Sequence, residues 1–288
     1  MGYRPPSRFV LIIGAMKSGT TSLFDLLGQH PEICACRTKE PDFFTAPGAG
    51  PDLSTYLGLW DWDAGRHSVA LEASVSYTKL PFFPGVAERI QDANLGDVRF
   101  IYVMRHPLTR IESQLRHSLY AGWGNPLDER LDPDLLAYSR YATQLDEYRR
   151  HFGRERLLPL FLDDLEQRPE SVLQQVCGFL EIDPGFSFHD LRTRRNTGDF
   201  YEAWPRLALV GKSSWGRTLL RHVIPIGLKS RLRTLLARTQ PRLTPDATLG
   251  GRWRLNDAER ETLWAALDDE LTRLESDYRL TLPASWRR

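Results

Sequence analysis

The sequence predicts an α/β fold: a single domain with a central parallel sheet flanked by helices. Three observations predict it. Phe9-Val-Leu-Ile-Ile13 is a continuous β-branched apolar run, the pattern of a strand buried on both faces. The run leads through a glycine-containing loop into leucines at helical spacing. The same order recurs further along, where the apolar run 98–104 is followed by Pro107 and a second helical pattern.

Taken in order, Thr20 to Gln29 carries Leu23, Leu26 and Leu27 on one face, and His30-Pro31 ends it. Val69 to Ala73 reads as the second strand. Val98 to Met104 reads as another, and Pro107 then suits the first turn of a helix bearing Ile111, Leu115 and Leu119. Leu157 to Leu162 is a further strand, pushed toward a sheet edge by Pro159. Val172 to Leu180 is an amphipathic helix with Val172, Val176, Phe179 and Leu180 as its apolar side. Asn256 to Tyr278 is a last helix lined by Leu263, Leu267, Leu271 and Leu274. Between Ala203 and Pro245 there is no acidic residue, while arginines and lysines recur and Ile224, Leu228, Leu232, Leu235 and Leu236 keep helical spacing. Two readings of that segment stand side by side. It is a solvated helix, or it is a lid or surface for an anionic partner, with peripheral membrane contact through 217–242 as one form. No linker or repeat interrupts the chain, so 1–288 is expected to form one domain with 203–245 as a basic insert.

Composition narrows the function. In 288 residues, 41% are hydrophobic and 26% charged, as in a globular protein with an ample core. A net charge of +1 gives no global field to draw nucleic acid. The cysteines are Cys34, Cys36 and Cys177, an odd number that argues against a disulfide framework and suits a reducing, cytoplasmic setting. Cys34-x-Cys36 lacks a second ligand pair, so no metal is expected. The apolar run 9–15 is too short to span a bilayer and enters a polar loop directly, which reads as a strand rather than a leader.

The chemistry concentrates in Gly14-Ala-Met-Lys17-Ser18-Gly19-Thr20-Thr21-Ser22. A strand-to-helix loop of this kind offers backbone N–H groups and the positive end of a helix dipole to an anion. Lys17 adds a charge, and Thr20, Thr21 and Ser22 add hydroxyls. The nucleoside-triphosphate pattern G-x-x-x-x-G-K-[ST] is not met: the second glycine falls at Gly19, but Thr20 follows it and the lysine precedes it. The loop closely resembles the K-x-G-T-T/S loop that binds the 5′-phosphosulfate in sulfotransferases using 3′-phosphoadenosine-5′-phosphosulfate (PAPS). In that family an arginine at a strand end and a serine eight residues later hold the 3′-phosphate. Arg105 and Ser113 have that placement. Phe161-Leu-Asp-Asp-Leu165 with the helix ending at Phe179-Leu180 is similar to another family stretch. Thr248-Leu-Gly-Gly251-Arg252 resembles, loosely, the loop that closes over the nucleotide. The sequence is thus identified with the bacterial, heparan-sulfotransferase-like branch. The resemblance implies a P-loop-like sulfotransferase fold with PAPS as co-substrate. It implies cofactor contacts from Lys17, Ser18, Gly19, Thr20, Thr21, Ser22, Arg105, Ser113, Gly251 and Arg252, and no metal.

It also implies catalytic residues. Lys17 would neutralise the bridging oxygen and leaving phosphate. Lys39-Glu40-Pro41-Asp42-Phe43-Phe44 resembles the family's E-x-x-F-F segment, whose glutamate takes the acceptor proton, so Glu40 ranks first as base. His117, one helical turn after Ser113, ranks second, and His106 third with a structural role. The family's E-K-T-P-x-Y segment corresponds to Glu72-Ala73-Ser74-Val75-Ser76-Tyr77, where Ala73 replaces an acceptor-contacting lysine. A highly sulfated acceptor is therefore disfavoured. Trp60, Trp62, Tyr77, Tyr120 and Trp123 are candidates to stack on a sugar or apolar acceptor, with several expected in the core. The expected reaction is in-line sulfuryl transfer to a hydroxyl, ahead of an amine, of a carbohydrate, glycolipid or secondary metabolite. Two rival readings remain: a nucleoside-phosphate kinase or NTPase with a variant P-loop, and a non-catalytic nucleotide-binding protein on the same fold.

Overall fold

The computed structural model describes residues 5–46, 52–121, 133–191 and 254–286. Five strands form the sheet: β1 (Arg8–Gly14), β2 (Ile33–Ala35), β3 (Val69–Ala73), β4 (Asp97–Met104) and β5 (Leu157–Phe161). Their order is β2-β3-β1-β4-β5 and every pairing is parallel. The first strand is therefore central. Phe9 pairs with Ala70 on one side and Val98 on the other. Phe9 to Ile13 are fully buried, which is why the run is apolar without alternation.

Ten described helices surround the sheet. They are α1 (Thr20–Leu27), α2 (Leu53–Leu57), α3 (Val86–Asp92), α4 (Pro107–Ala121), α5 (Pro133–Ala137), α6 (Tyr141–Phe152), α7 (Leu162–Gln167), α8 (Pro169–Leu180), α9 (Asp257–Ala265) and α10 (Asp268–Ser276). Val10 and Ile12 of β1 and Ile101 and Val103 of β4 share one cluster with Leu23 and Leu27 of α1 and Val172, Leu173, Val176 and Leu180 of α8. The alternate residues face the other way, where Phe9 meets Tyr56 and Trp60, and Phe100 meets Tyr148 and Phe152 of α6. Each buried leucine or aromatic contributes about 1.5–3 kcal/mol by leaving water. A terminal turn, Ala284–Trp286, adds the buried Trp286 edge-on to Phe161, its indole N–H donating to Asp163 at 3.2 Å.

The chain divides into two compact units. The first comprises 1–114, 131–195 and 256–288 and holds the whole sheet; the second comprises 115–130 and 196–255. The acid-free segment 203–245 lies outside the described residues, as do Gly251, Arg252 and Trp123.

Several expectations need correction. Val69–Ala73 is the third strand, because the three-residue β2 precedes it. Thr20 to Gln29 is helical only to Leu27, where Gly28 caps it. The helix expected over 256–278 is two helices that break at Ala266 and Leu267. Asn256 and Glu259 form a capping box for α9, and Asp268, Asp269 and Glu270 restart α10 with acids in its first turn, where the helix dipole favours them. Pro159 does sit on an edge strand, paired in register with Tyr102.

Candidate active site

In a parallel sheet all strand ends of one kind share one edge, and ligands bind beyond the carboxyl ends where the strand order reverses. The segments singled out in sequence follow those ends: Lys17 follows β1, Glu40 follows β2, Ser74 follows β3 and Arg105 follows β4. Backbone hydrogen bonds tie them together. Glu40 N donates to Ala73 O at 2.8 Å, Ser74 N to Ile12 O at 3.1 Å, and Ala15 N to Val103 O at 2.8 Å.

The loop after β1 is tightly constrained. A Cβ on Gly14 would lie 2.1 Å from Thr78 Oγ1 and 2.6 Å from the Tyr102 ring, so only glycine fits. Thr78 is itself fixed, donating to Ile13 O at 2.5 Å. Lys17 adopts φ +69° and Gly19 φ +82°. Lysine in the left-handed region costs of order 1–2 kcal/mol, a strain typical of ligand loops. Ser18 N donates to Ala15 O at 3.2 Å and closes the turn. The Ser18 hydroxyl is buried beside Tyr141 and makes no hydrogen bond of normal geometry, while Tyr141 donates to the Arg105 carbonyl at 2.6 Å. α1 starts at Thr20 with no acid in its first turn, so its own side chains leave the positive helix end uncompensated. Thr20 is buried, and Thr21 and Ser22 are half-buried.

Arg105 joins this loop from the end of the neighbouring strand, β4. Its Nη1 donates to the Lys17 carbonyl at 3.3 Å and its Nε to Thr109 Oγ1 at 3.0 Å. Residues 88 positions apart thus meet at one loop. Ser113 is half-buried on α4, two turns further on.

Glu40 and Asp42 both adopt left-handed backbone, φ +57° and +51°. Glu40 keeps a 41% exposed side chain and pairs with Lys39 at 2.7 Å. Asp42 N donates to Ser74 Oγ at 3.1 Å. Burial raises the Asp42 pKa and the Glu40 charge adds to it, while Lys79 and Ser76 oppose the rise. Beneath them Glu72 is fully buried, accepting from Tyr56 OH and Ser74 Oγ at 2.6 Å each. Burial raises its pKa and those hydroxyls, with Tyr77, counter the rise. Ala73 is buried and offers only its carbonyl. A second lysine of this region is Lys79, whose Nζ donates to Ser76 Oγ at 3.3 Å.

His117 lies on α4 one turn beyond Ser113 and is half-buried. His106 packs against Trp264 at 5.2 Å and burial lowers its pKa, as suits a structural ring. Trp60 and Tyr77 are core residues, 4% and 2% exposed, with Trp60 Nε1 donating to Leu71 O. Trp62 is half-buried against His67. All three cysteines are buried thiols. Among the described residues no cluster of three or more His, Cys, Asp or Glu could hold a metal, and no helix is long and apolar enough to cross a membrane. Sequence reasoning missed Asp42, the Glu72 strut and Tyr141, whose roles depend on burial rather than spacing.

The sulfotransferase domain profile matches residues 7–194, a span containing the loop, Glu40, Arg105 and Ser113. The chain belongs to the sulfotransferase domain family. Among curated relatives, mouse heparan sulfate glucosamine 3-O-sulfotransferase 3A1 is 28% identical over 186 residues, covering 60% of this chain and 45% of that protein. Human heparan sulfate glucosamine 3-O-sulfotransferase 6 is 29% identical over 185 residues, covering 60% and 52%. The chain spans about half the length of the curated relatives it matches. The crystal structure of a sulfotransferase from Alicyclobacillus acidocaldarius superposes with a TM-score of 0.66 at 23% identity, over 99% of this chain and 100% of that one, and shares the fold.

Proposed function

We propose that this sulfotransferase moves a sulfuryl group from PAPS to an acceptor hydroxyl in a cytoplasmic setting. The observation that carries the reading is Arg105 reaching the Lys17 carbonyl, which places a guanidinium beside a strained, hydroxyl-rich anion loop. The buried Ser18 hydroxyl without a partner is a further sign that the loop is built for a polar ligand.

Lys17, Ser18, Gly19, Thr20, Thr21 and Ser22 would hold the 5′-phosphosulfate. Arg105 and Ser113 would hold the 3′-phosphate, the former through a bidentate fork. Bound PAPS supplies an activated sulfuryl group on a phosphosulfate anhydride. The chain's own work is positioning and charge stabilisation. Lys17 neutralises the charge developing on the departing phosphate oxygen. Glu40, anchored through its backbone to the end of β3, accepts the acceptor hydroxyl proton as the new S–O bond forms. Buried Ala73 removes the cation that relatives of the heparan type place at this position, and Asp42 beside Lys79 leaves a mixed-charge surface. An uncharged or weakly charged carbohydrate, glycolipid or secondary metabolite fits this better than a polysulfated one. Gly251 and Arg252 complete the proposed nucleotide contacts, and the basic 203–245 segment of a single 1–288 domain is either a solvated helix or a lid or surface for an anionic partner.

The test is transfer of radiolabelled sulfuryl from PAPS across a panel of neutral and sulfated acceptors. Label on a neutral hydroxyl acceptor, lost in Glu40→Gln, is expected. Phosphate transfer from ATP with no sulfuryl transfer would overturn the reading.

A further inference from the structure

Arg110 is, among the described residues, the Arg or Lys with no exposed surface at all. Its Nε donates to Ser139 Oγ at 2.7 Å, its Nη1 to Gln114 Oε1 at 2.5 Å and its Nη2 to Leu135 O at 2.7 Å. Every one of these acceptors is neutral, and no carboxylate among the described residues pairs with it. The groups that act most on its charge are the phenols of Tyr141, Tyr102 and Tyr138 and the like charge of Arg105. Burial pushes its pKa down, the phenols oppose that, and Arg105 adds to it. Arginine nevertheless stays protonated in proteins. A buried cation without a counterion is a costly arrangement, whereas a neutral amide could tie the same three groups together without the desolvation penalty.

Arg110 lies on α4 between the two residues read above as the 3′-phosphate site. It is within electrostatic reach of Arg105 and one turn from Ser113, hence on neighbouring helix positions. Arg110 thus brings a second positive charge, sealed from water, into the range of Arg105. We propose that Arg110 is a positioning and specificity residue, a fixed buried charge whose counterion is the nucleotide's 3′-phosphate. It does not touch the phosphate. It raises the local potential in a low-dielectric setting, so its effect falls on ligands that carry the 3′-phosphate and spares those that do not. The inference rests on the assignment of Arg105 and Ser113 to the 3′-phosphate.

The experiment is calorimetric titration of the parent chain, Arg110→Gln and Arg110→Lys with 3′-phosphoadenosine-5′-phosphate (PAP) and with AMP, beside thermal melts. The readout is the ratio Kd(AMP)/Kd(PAP), which a merely structural staple would leave alone. Arg110→Gln is expected to lower that ratio about tenfold, the scale of one charge interaction at an effective dielectric near 20, with AMP affinity changed less than about twofold. Equal losses for both nucleotides, or an unchanged ratio, would overturn the proposal. Arg110→Lys keeps the charge and covers the case in which the neutral variant does not fold. A ratio within about threefold of the parent supports the charge role, and a tenfold fall refutes it. A parent chain that binds PAP no better than AMP would instead remove the 3′-phosphate assignment itself.

Discussion

Glu72 is the buried strut behind Ser74, which in turn holds the Asp42 backbone, and replacing it gives a prediction whose size can be worked out. Its carboxylate is fully buried and accepts hydrogen bonds from the Tyr56 and Ser74 hydroxyls at 2.6 Å each. Hydrogen bonds to a charged group contribute about 1.5–3 kcal/mol each, so the pair amounts to about 3–6 kcal/mol. Relief of the buried charge offsets part of this when the residue is removed. Glu72→Ala should therefore lose about 2–4 kcal/mol in urea unfolding. Glu72→Gln, which keeps the shape and one acceptor oxygen, should lose about 1–2 kcal/mol. The pH dependence separates this account from simple cavity formation. Burial raises the folded-state pKa above the ordinary 4.5, so the folded state holds the proton more tightly than the unfolded chain. Stability contributed by this group should then decline as pH rises from about 4.5 through the raised value, with a slope of at most about 1.4 kcal/mol per pH unit. Glu72→Gln should flatten that slope. A Glu72→Ala loss below about 1 kcal/mol, or an unaltered slope in Glu72→Gln, would refute the reasoning.

Three further outcomes follow from the site. Lys17→Ala should abolish sulfuryl transfer while the melting temperature holds, since the side chain is only half-buried; activity within tenfold of the parent would remove its role. Arg105→Ala should raise the KM for PAPS by tenfold or more, in keeping with loss of a charged hydrogen-bonding fork, and leave the acceptor KM nearly unchanged. Glu40→Gln should cut kcat by about 10²–10⁴ with PAP affinity intact, measured by initial rates beside titration; a loss confined to KM would move the base elsewhere.

What the sequence reveals here depends on where each signal resides. β1 was legible because a strand buried on both faces needs no alternation, and Phe9 to Ile13 supply five fully buried apolar residues in a row. The loop after β1 was legible because glycine spacing reports backbone geometry directly: Gly14 has no room for a Cβ and Gly19 has positive φ. β2 was not, since Ile33–Ala35 is too short to show a period and gains its place from pairing with β3. α6 escaped as well; its buried face is Tyr141, Ala142, Gln144, Leu145 and Tyr148, too mixed in polarity to stand out. Trp60 and Tyr77 were ambiguous because an aromatic serves a stacking platform and a core equally well, and only burial decides. Arg110 was invisible among so many arginines. Its significance lies in which partners it lacks, and no spacing rule encodes that.

The central claim is that the chain binds a 3′-phosphorylated adenine nucleotide at the loop shared by Lys17 and Arg105. Calorimetric titration with PAP, beside ATP, each with and without Mg²⁺, tests it most directly. The account predicts tight, metal-independent binding of PAP and weak binding of ATP. Preference for ATP with Mg²⁺ would contradict it and make a nucleotide-hydrolysing or phosphoryl-transferring enzyme the better description.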